Sequence, residues 1–246
     1  MLRDKERDQI EVYDVTSYRL QRYLTVPNCN DFADITSCEH YRCVYISDLI
    51  VECIHRLGSQ GAATQWPVDD KPYGLSVNAA HNLLVACPKV RKIKEFSSHG
   101  HPLRQLTLPG NVSHPLLAIQ LTSGQFIVCH GVPDDPVHGV CMISAFGRQI
   151  VHSHGGKKGS DTGQCNVPAR LAVDANNFVY VADLNNRRVK LLSPTLGYIR
   201  DAVTSDLLKW CPYRLYFDAR ARHLYVAENE RKDGDWNAGR VVVFNV

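Results

Sequence analysis

Seven histidines crowd the middle of the chain: His99, His101, His114, His130, His138, His152 and His154. Two pairs, His99-Gly-His101 and His152-Ser-His154, have the spacing that puts two imidazoles on one face of a strand, as a metal site requires. No carboxylate or cysteine stands at a companion spacing, so the histidines read as solvated turn residues and no metal ligand is assigned. Nine cysteines, at 29, 38, 43, 53, 87, 129, 141, 165 and 211, form an odd, scattered set. Cys38-x4-Cys43 and Cys43-x9-Cys53 lack the close pairing of a zinc finger or RING. Cys43, Cys87, Cys129 and Cys141 sit in apolar runs, where a thiol acts as a small hydrophobe. The set reads as reduced, buried thiols of a cytosolic protein. No Gly-x-Ser-x-Gly elbow or phosphate loop occurs, so no catalytic residue and no cofactor are assigned.

Basic residues are the better candidates. Arg91, Lys92, Arg187, Arg188 and Arg240 recur just ahead of short apolar runs. If those runs are equivalent strands of a repeat, the five charges gather on one face and could draw phosphate or acidic peptide. The competing role is internal pairing, Arg188 with Asp183 and Arg240 with Glu228. Lys157, Lys158, Arg231 and Lys232 read as solvated loop surface. The net charge of +3 is too small to point to nucleic acid by itself.

The elements that position these residues follow a period of about 44 residues. Leu171-Ala-Val-Asp174 precedes Phe178-Val-Tyr-Val-Ala-Asp183; Leu215-Tyr-Phe-Asp218 precedes Leu224-Tyr-Val-Ala-Glu228; Leu75-Ser-Val-Asn78 precedes Leu83-Leu-Val-Ala-Cys87. Short strands at that period make an all-β fold, a β-propeller of four-stranded antiparallel blades filling residues 1–246 as one domain. The units cover approximately 30–71, 72–114, 115–167, 168–211 and 212–246, with a partial unit over 10–29. Prolines 72, 115, 168 and 212 stand where first strands begin, a position that needs no amide hydrogen. Asn176-Asn177 and Ser123-Gly124 fit tight hairpins, and Asp174, Asp218 and Asn78 close them as turn residues. The favoured closure is a six-bladed design with one incomplete blade. The alternative is five blades closed by the amino-terminal strand.

Over 155–200 the chain resembles an NHL repeat. Gly155-Gly-Lys-Lys-Gly leads to Gln164-Cys-Asn-Val-Pro168, then to Val179-Tyr-Val-Ala-Asp183 and Asn185-Asn-Arg-Arg-Val189. Cys165 stands where the repeat usually carries an aromatic. The residues that carry the resemblance are Pro168, Asp174, Asp183, Asn186 and Arg188. The 72–114 unit has lost the acidic residue and the Asn-Arg pair, and the 115–167 unit keeps only its hairpin rhythm. A WD-type propeller fits less well, since Asp235-Trp236 falls in a loop rather than at the end of a strand. The resemblance implies a recognition module like those of tripartite-motif and other RING ubiquitin ligases, without a RING in this chain.

The expectation is therefore a non-catalytic module that binds a protein partner and serves protein ubiquitination as a substrate-recognition part. Single-stranded RNA is the binding alternative, and a metal-dependent six-bladed hydrolase or lyase is the enzymatic one. No apolar run of about 18 residues is present to span a membrane, and the charged start Met1-Leu-Arg-Asp-Lys-Glu is unlike a secretory signal. The expected location is cytoplasmic, with no membrane and no small-molecule cofactor.

Overall fold

The computed structural model describes residues 3–4, 9–59, 61–232 and 235–246, and of the side chains at 3, 4, 9 and 231–238 nothing is said. Among the described residues every regular element is a strand apart from one 3-10 turn at Leu184–Asn186. Among the described residues no helix is long and apolar enough to cross a membrane.

The amino-terminal sheet holds β1 (Arg3–Asp4), β2 (Gln9–Tyr13) and β3 (Leu20–Thr25). Blade one is β4 (Phe32–Cys38), β5 (Cys43–Asp48), β6 (Cys53–Gly58) and β7 (Ala63–Pro67). Blade two is β8 (Leu75–Val77), β9 (Leu83–Cys87), β10 (Lys92–Phe96) and β11 (Pro102–Thr107). Blade three is β12 (Pro115–Gln120), β13 (Phe126–His130), β14 (Val137–Ile143) and β15 (Ile150–Lys157). Blade four is β16 (Pro168–Val173), β17 (Val179–Asp183), β18 (Arg188–Leu192) and β19 (Tyr198–Val203). Blade five has three strands, β20 (Cys211–Asp218), β21 (His223–Lys232) and β22 (Asp235–Asn245). Asp235-Trp236 thus belongs to a strand and not to the loop expected of it, because the β21–β22 hairpin runs on as far as a Lys232–Asp235 pair.

Each blade hides apolar residues on both faces. The second strands are therefore buried along their length rather than on alternate residues: Leu83–Cys87, Phe126–His130 and Val179–Asp183 are buried throughout, and all but the closing His130 and Asp183 are apolar. Neighbouring blades bury one another. Leu84, Ile93 and Leu106 of blade two meet Ala118, Phe126 and Cys141 of blade three, and Ala172 and Tyr180 of blade four meet Leu224 and Val226 of blade five. Hairpin turns carry the side chains that tight reversals need: Asn177 at φ 64° and Gly124 at φ 84°. Asp174 Oδ1 accepts the amides of Asn176 and Phe178 at 2.9 and 2.8 Å, and Asp218 and Asn78 receive amides of their own turns in the same way.

The ring has five blades, the number given by the second closure the sequence allows, but among the described residues the amino-terminal strands pair only with one another and add no strand to blade five. The favoured sixth blade is not built, because the amino-terminal sheet supplies no inner strand to the axis. Blade five's Arg214 instead reaches Asp34 and the Ala33 carbonyl of blade one directly. The amino-terminal sheet packs at the seam: Ile10 and Val26 join Ile46 and Leu57 of blade one, while the β2–β3 turn brings Tyr18 to Tyr225 of blade five.

Candidate functional site

Five inner strands start at the axis, and four of them shift register at the same place: Phe32/Asp34, Pro115/Leu117, Pro168/Arg170 and Pro212/Arg214. The residue after each shift faces the centre, and in blade two the matching residue is Gly74. The hub is thus Asp34, Gly74, Leu117, Arg170 and Arg214. Asp34 binds four blades together. Its Oδ2 accepts the Leu75 amide at 2.8 Å and lies 3.4 Å from Arg170 Nε, and its Oδ1 pairs with Arg214. Both guanidiniums also donate to the Ala33 carbonyl, at 3.3 Å from Arg170 and 2.7 Å from Arg214. Tyr73 and Tyr213 cover the Arg170 guanidinium at 4.9 and 5.2 Å, contacts that favour a desolvated cation. Burial pulls Arg214 down to about 10. The centre is therefore filled by the protein's own ionic network. A calcium-type catalytic centre needs several oxygens converging on open space, and Asp34 is already held by two guanidiniums.

Strand direction divides the remaining loops. In a ring of antiparallel blades the strand 2–3 turns and the links between blades emerge on one face. That face carries the sequence-predicted basic residues, and their fates differ. Arg188 is turned inward: Nε meets Asp183 Oδ2 at 2.8 Å, and Nη2 reaches the Asp161 and Gln164 carbonyls. Burial lowers the Arg188 guanidinium's affinity for its proton, but the bond to Asp183 outweighs that and its pKa rises. Arg240 pairs in the same manner with buried Glu228. Lys92 bonds Gln105 Oε1 at 3.1 Å. Arg91 and Arg187 remain at the exposed ends of their turns, both left-handed at φ 53° and 49°, their side chains donating to the Gly110 and Ser205 carbonyls at 3.4 and 3.3 Å. Beside them stand aliphatic side chains exposed to water: Ile50 at 66%, Leu207 at 52%, and Val51 and Val90 near 40%.

Asp183 organises blade four. Its carboxylate takes the Asn166 amide at 2.7 Å, the Asn186 side-chain amide at 2.8 Å and Arg188. Pro168 pairs opposite it, and Val167 before that proline is held at φ 58°, strained for a β-branched residue, with its amide donated to His138 Nδ1 at 2.8 Å.

The histidines do not stay together as solvated turn residues. His99 and His101 are exposed, but His130, His138 and His154, all within strands, are buried. Burial brings both His130 and His154 down to about 4, with Lys190 and Arg188 adding to the effect at His154. Lys190 itself is fully buried, its ammonium bonded to the Thr162 and Gln164 carbonyls at 2.6 Å each. No disulfide joins any of the nine cysteines, and eight of them are buried.

The hub arginines escaped the sequence reading, yet a signal existed. Pro168-Ala-Arg-Leu and Pro212-Tyr-Arg-Leu place a cation at the same step of two inner strands. Among the described residues one group of three metal-type donors also comes together, Cys29, Asp48 and His55, in blade one. No spacing rule would have linked them.

No protein-family model and no curated protein sequence matches the chain. Among solved structures it is similar to a protein of unknown function from Bacteroides caccae, with TM-score 0.71 and 14% identity over 97% of this chain and 86% of that one. It is similar also to virginiamycin B lyase from Staphylococcus aureus, with TM-score 0.63 and 12% identity over 98% and 78%. Hydrazine synthase of Kuenenia stuttgartiensis gives TM-score 0.66 and 11% identity over 97% and 90%. At these identities the likeness is one of fold, and it is the β-propeller that is shared.

Proposed function

We propose that the chain is a non-catalytic recognition module that binds a protein partner through the face carrying the strand 2–3 turns. One observation carries the reading: on that face exposed Ile50, Val51, Val90 and Leu207 alternate with outward-facing Arg91 and Arg187. Aliphatic protrusions among separated cations suit a peptide with acidic and apolar side chains. Single-stranded RNA would need aromatic platforms between the cations. The most exposed aromatics, Phe146 and Tyr216, belong to other parts of the surface, exposed Tyr18 lies in the turn of the amino-terminal sheet beside Tyr225, and Trp210 on this face lies under Lys209 at 4.4 Å. The Asp183–Asn186–Arg188 arrangement supports the finer reading as an NHL-type propeller. The substrate-recognition role in a ubiquitin-ligase-related protein is proposed on that reading, as is the cytoplasmic location.

The test is selection of binders from a random peptide display library, followed by anisotropy titration of the selected peptides and of a single-stranded oligonucleotide. Ile50→Asp and the pair Arg91→Glu with Arg187→Glu should each weaken peptide binding about tenfold or more, a loss of about 1.4 kcal/mol. Phe146→Ser, away from this face, should leave it unchanged. Tight, salt-sensitive oligonucleotide binding with no selectable peptide would refute the reading.

A further inference from the structure

Strand 2 of every blade carries an equivalent position, its last residue in blades one to four, occupied in order by Asp48, Cys87, His130, Asp183 and Glu228. Directly across on strand 3 stand Cys53, Lys92, Gly139, Arg188 and Arg240. In blades four and five, a buried carboxylate thus faces an arginine that neutralises it. Blade one keeps the carboxylate, fully buried in Asp48, but places a thiol where the arginine would be. Two residues along, where blade four has Lys190, blade one has His55. In the link before the inner strand, Cys29 occupies the place of Cys165: the amide of the next residue, Asn30 or Asn166, caps the carboxylate in each blade, at 2.6 and 2.7 Å.

We infer that blade one holds a zinc ion at this position, bound by Cys29, Asp48 and His55 with Cys53 as fourth ligand. The ion takes over the charge role that Arg188 plays in blade four. Ligand atoms of Cys29, Asp48 and His55 all lie within 4.8 Å of one another. His55 Nε2 stands 3.5 Å from Asp48 Oδ2 and 3.3 Å from Cys53 Sγ. Zinc bonds of about 2.0–2.3 Å at tetrahedral angles require donor separations of about 3.3–3.8 Å, so these two edges need no rearrangement, Cys29 closes on Asp48 and His55 by less than about 1.5 Å, and Cys53, which stands outside that group of three, must draw in toward it. Two sulfurs, one nitrogen and one oxygen suit zinc over the harder calcium and magnesium. Asp48 is also oriented as a ligand should be, its oxygens fixed by the Asn30, Ile50 and Val51 amides at 2.6, 2.9 and 3.2 Å. All four donors are at most 5% exposed. Such a site is structural: it pins the Leu49–Glu52 turn and so the Ile50 and Val51 side chains above it.

The experiment is metal analysis of the whole chain, purified without a histidine tag, by inductively coupled plasma mass spectrometry. About one zinc per chain is expected, falling below about a tenth in Cys29→Ser and in His55→Ala but retained in Cys38→Ser and Cys87→Ser, which alter buried thiols elsewhere. Should the ligand variants not fold, cobalt titration of the unaltered, metal-stripped chain decides, since thiolate ligation produces a near-ultraviolet charge-transfer band with tetrahedral visible bands. A folded chain carrying no zinc and giving no such bands overturns the proposal, and so does zinc that persists in both ligand variants.

Discussion

Replacing Asp34 by Asn tests whether the ring is fastened at its centre. The substitution keeps shape and volume but removes the charge facing Arg170 and Arg214. Asp34 and Arg170 are about 3% exposed and Arg214 is largely enclosed, so neither guanidinium can recover much hydration. The Asn carbonyl can still take the Leu75 amide at the Oδ2 position, or the Ile35 amide now 2.8 Å from Oδ1, but its NH2 group confronts a cation. Removing one partner of a buried ion pair costs about 3–5 kcal/mol. For a chain of this size each kcal/mol moves the melting temperature by about 2–4 °C, so Asp34→Asn should melt about 6–20 °C lower. Urea unfolding followed by tryptophan fluorescence gives the free energy. Adding Arg214→Met to Asp34→Asn should recover part of the loss, since one unpaired cation disappears. A loss below about 1 kcal/mol, or no coupling between the two substitutions, would refute the hub argument.

Arg188→Met should cost about 3–5 kcal/mol, because it strands the fully buried Asp183 carboxylate, while Arg187→Ala one residue away should change urea unfolding by less than about 0.5 kcal/mol. Stability should also fall on acidification: His130 and His154, held near 4 in the fold against about 6.5 when unfolded, stay neutral while the unfolded chain takes up their protons. The loss therefore begins below about pH 6.5 and is complete near pH 4, up to about 3 kcal/mol for each, and urea midpoints measured from pH 7.5 to 5 should decline accordingly. Gly74→Ala would set a methyl group 2.0 Å from the Leu116 carbonyl oxygen and 2.9 Å from Leu117 Cα, so it should lower the melting temperature by several degrees or abolish soluble expression.

The repeat was readable because its signals are local. An aspartate that caps its own hairpin, as Asp174 does, or a proline opening an inner strand, as Pro168 does, leaves its mark within a few residues. Blade four could be traced strand by strand on that basis. What the sequence hid depends on contacts between distant blades. The Arg214–Ala33 bond joins residues 181 positions apart, so whether five or six blades close the circle was decided by a contact with no short-range trace. The histidines show the same limit: His138 and His152 have similar neighbours in sequence, yet one is sealed between blades and the other is not. Of the five basic candidates, pairing within the blade explained Arg188 and Arg240, because strand 3 sits opposite strand 2 in each unit. The exposed setting of Arg91 and Arg187 became visible only once the left-handed turn geometry was known.

The outer strand of blade five among the described residues, β22, has a consequence for how the molecule meets its own copies. Third strands elsewhere are shielded, as Ile93, Val140 and Val189 are, whereas Val242, Val243 and Phe244 of β22 remain partly wetted. Along Arg240–Asn245 the only registered neighbour among the described residues is β21. That leaves a run of Val-Val-Val-Phe with amides and carbonyls aimed outward, the kind of rim onto which a further strand can zip. Crowded solutions should therefore drive copies together along this rim, and a charged residue placed at Val241 or Val243 should keep them apart.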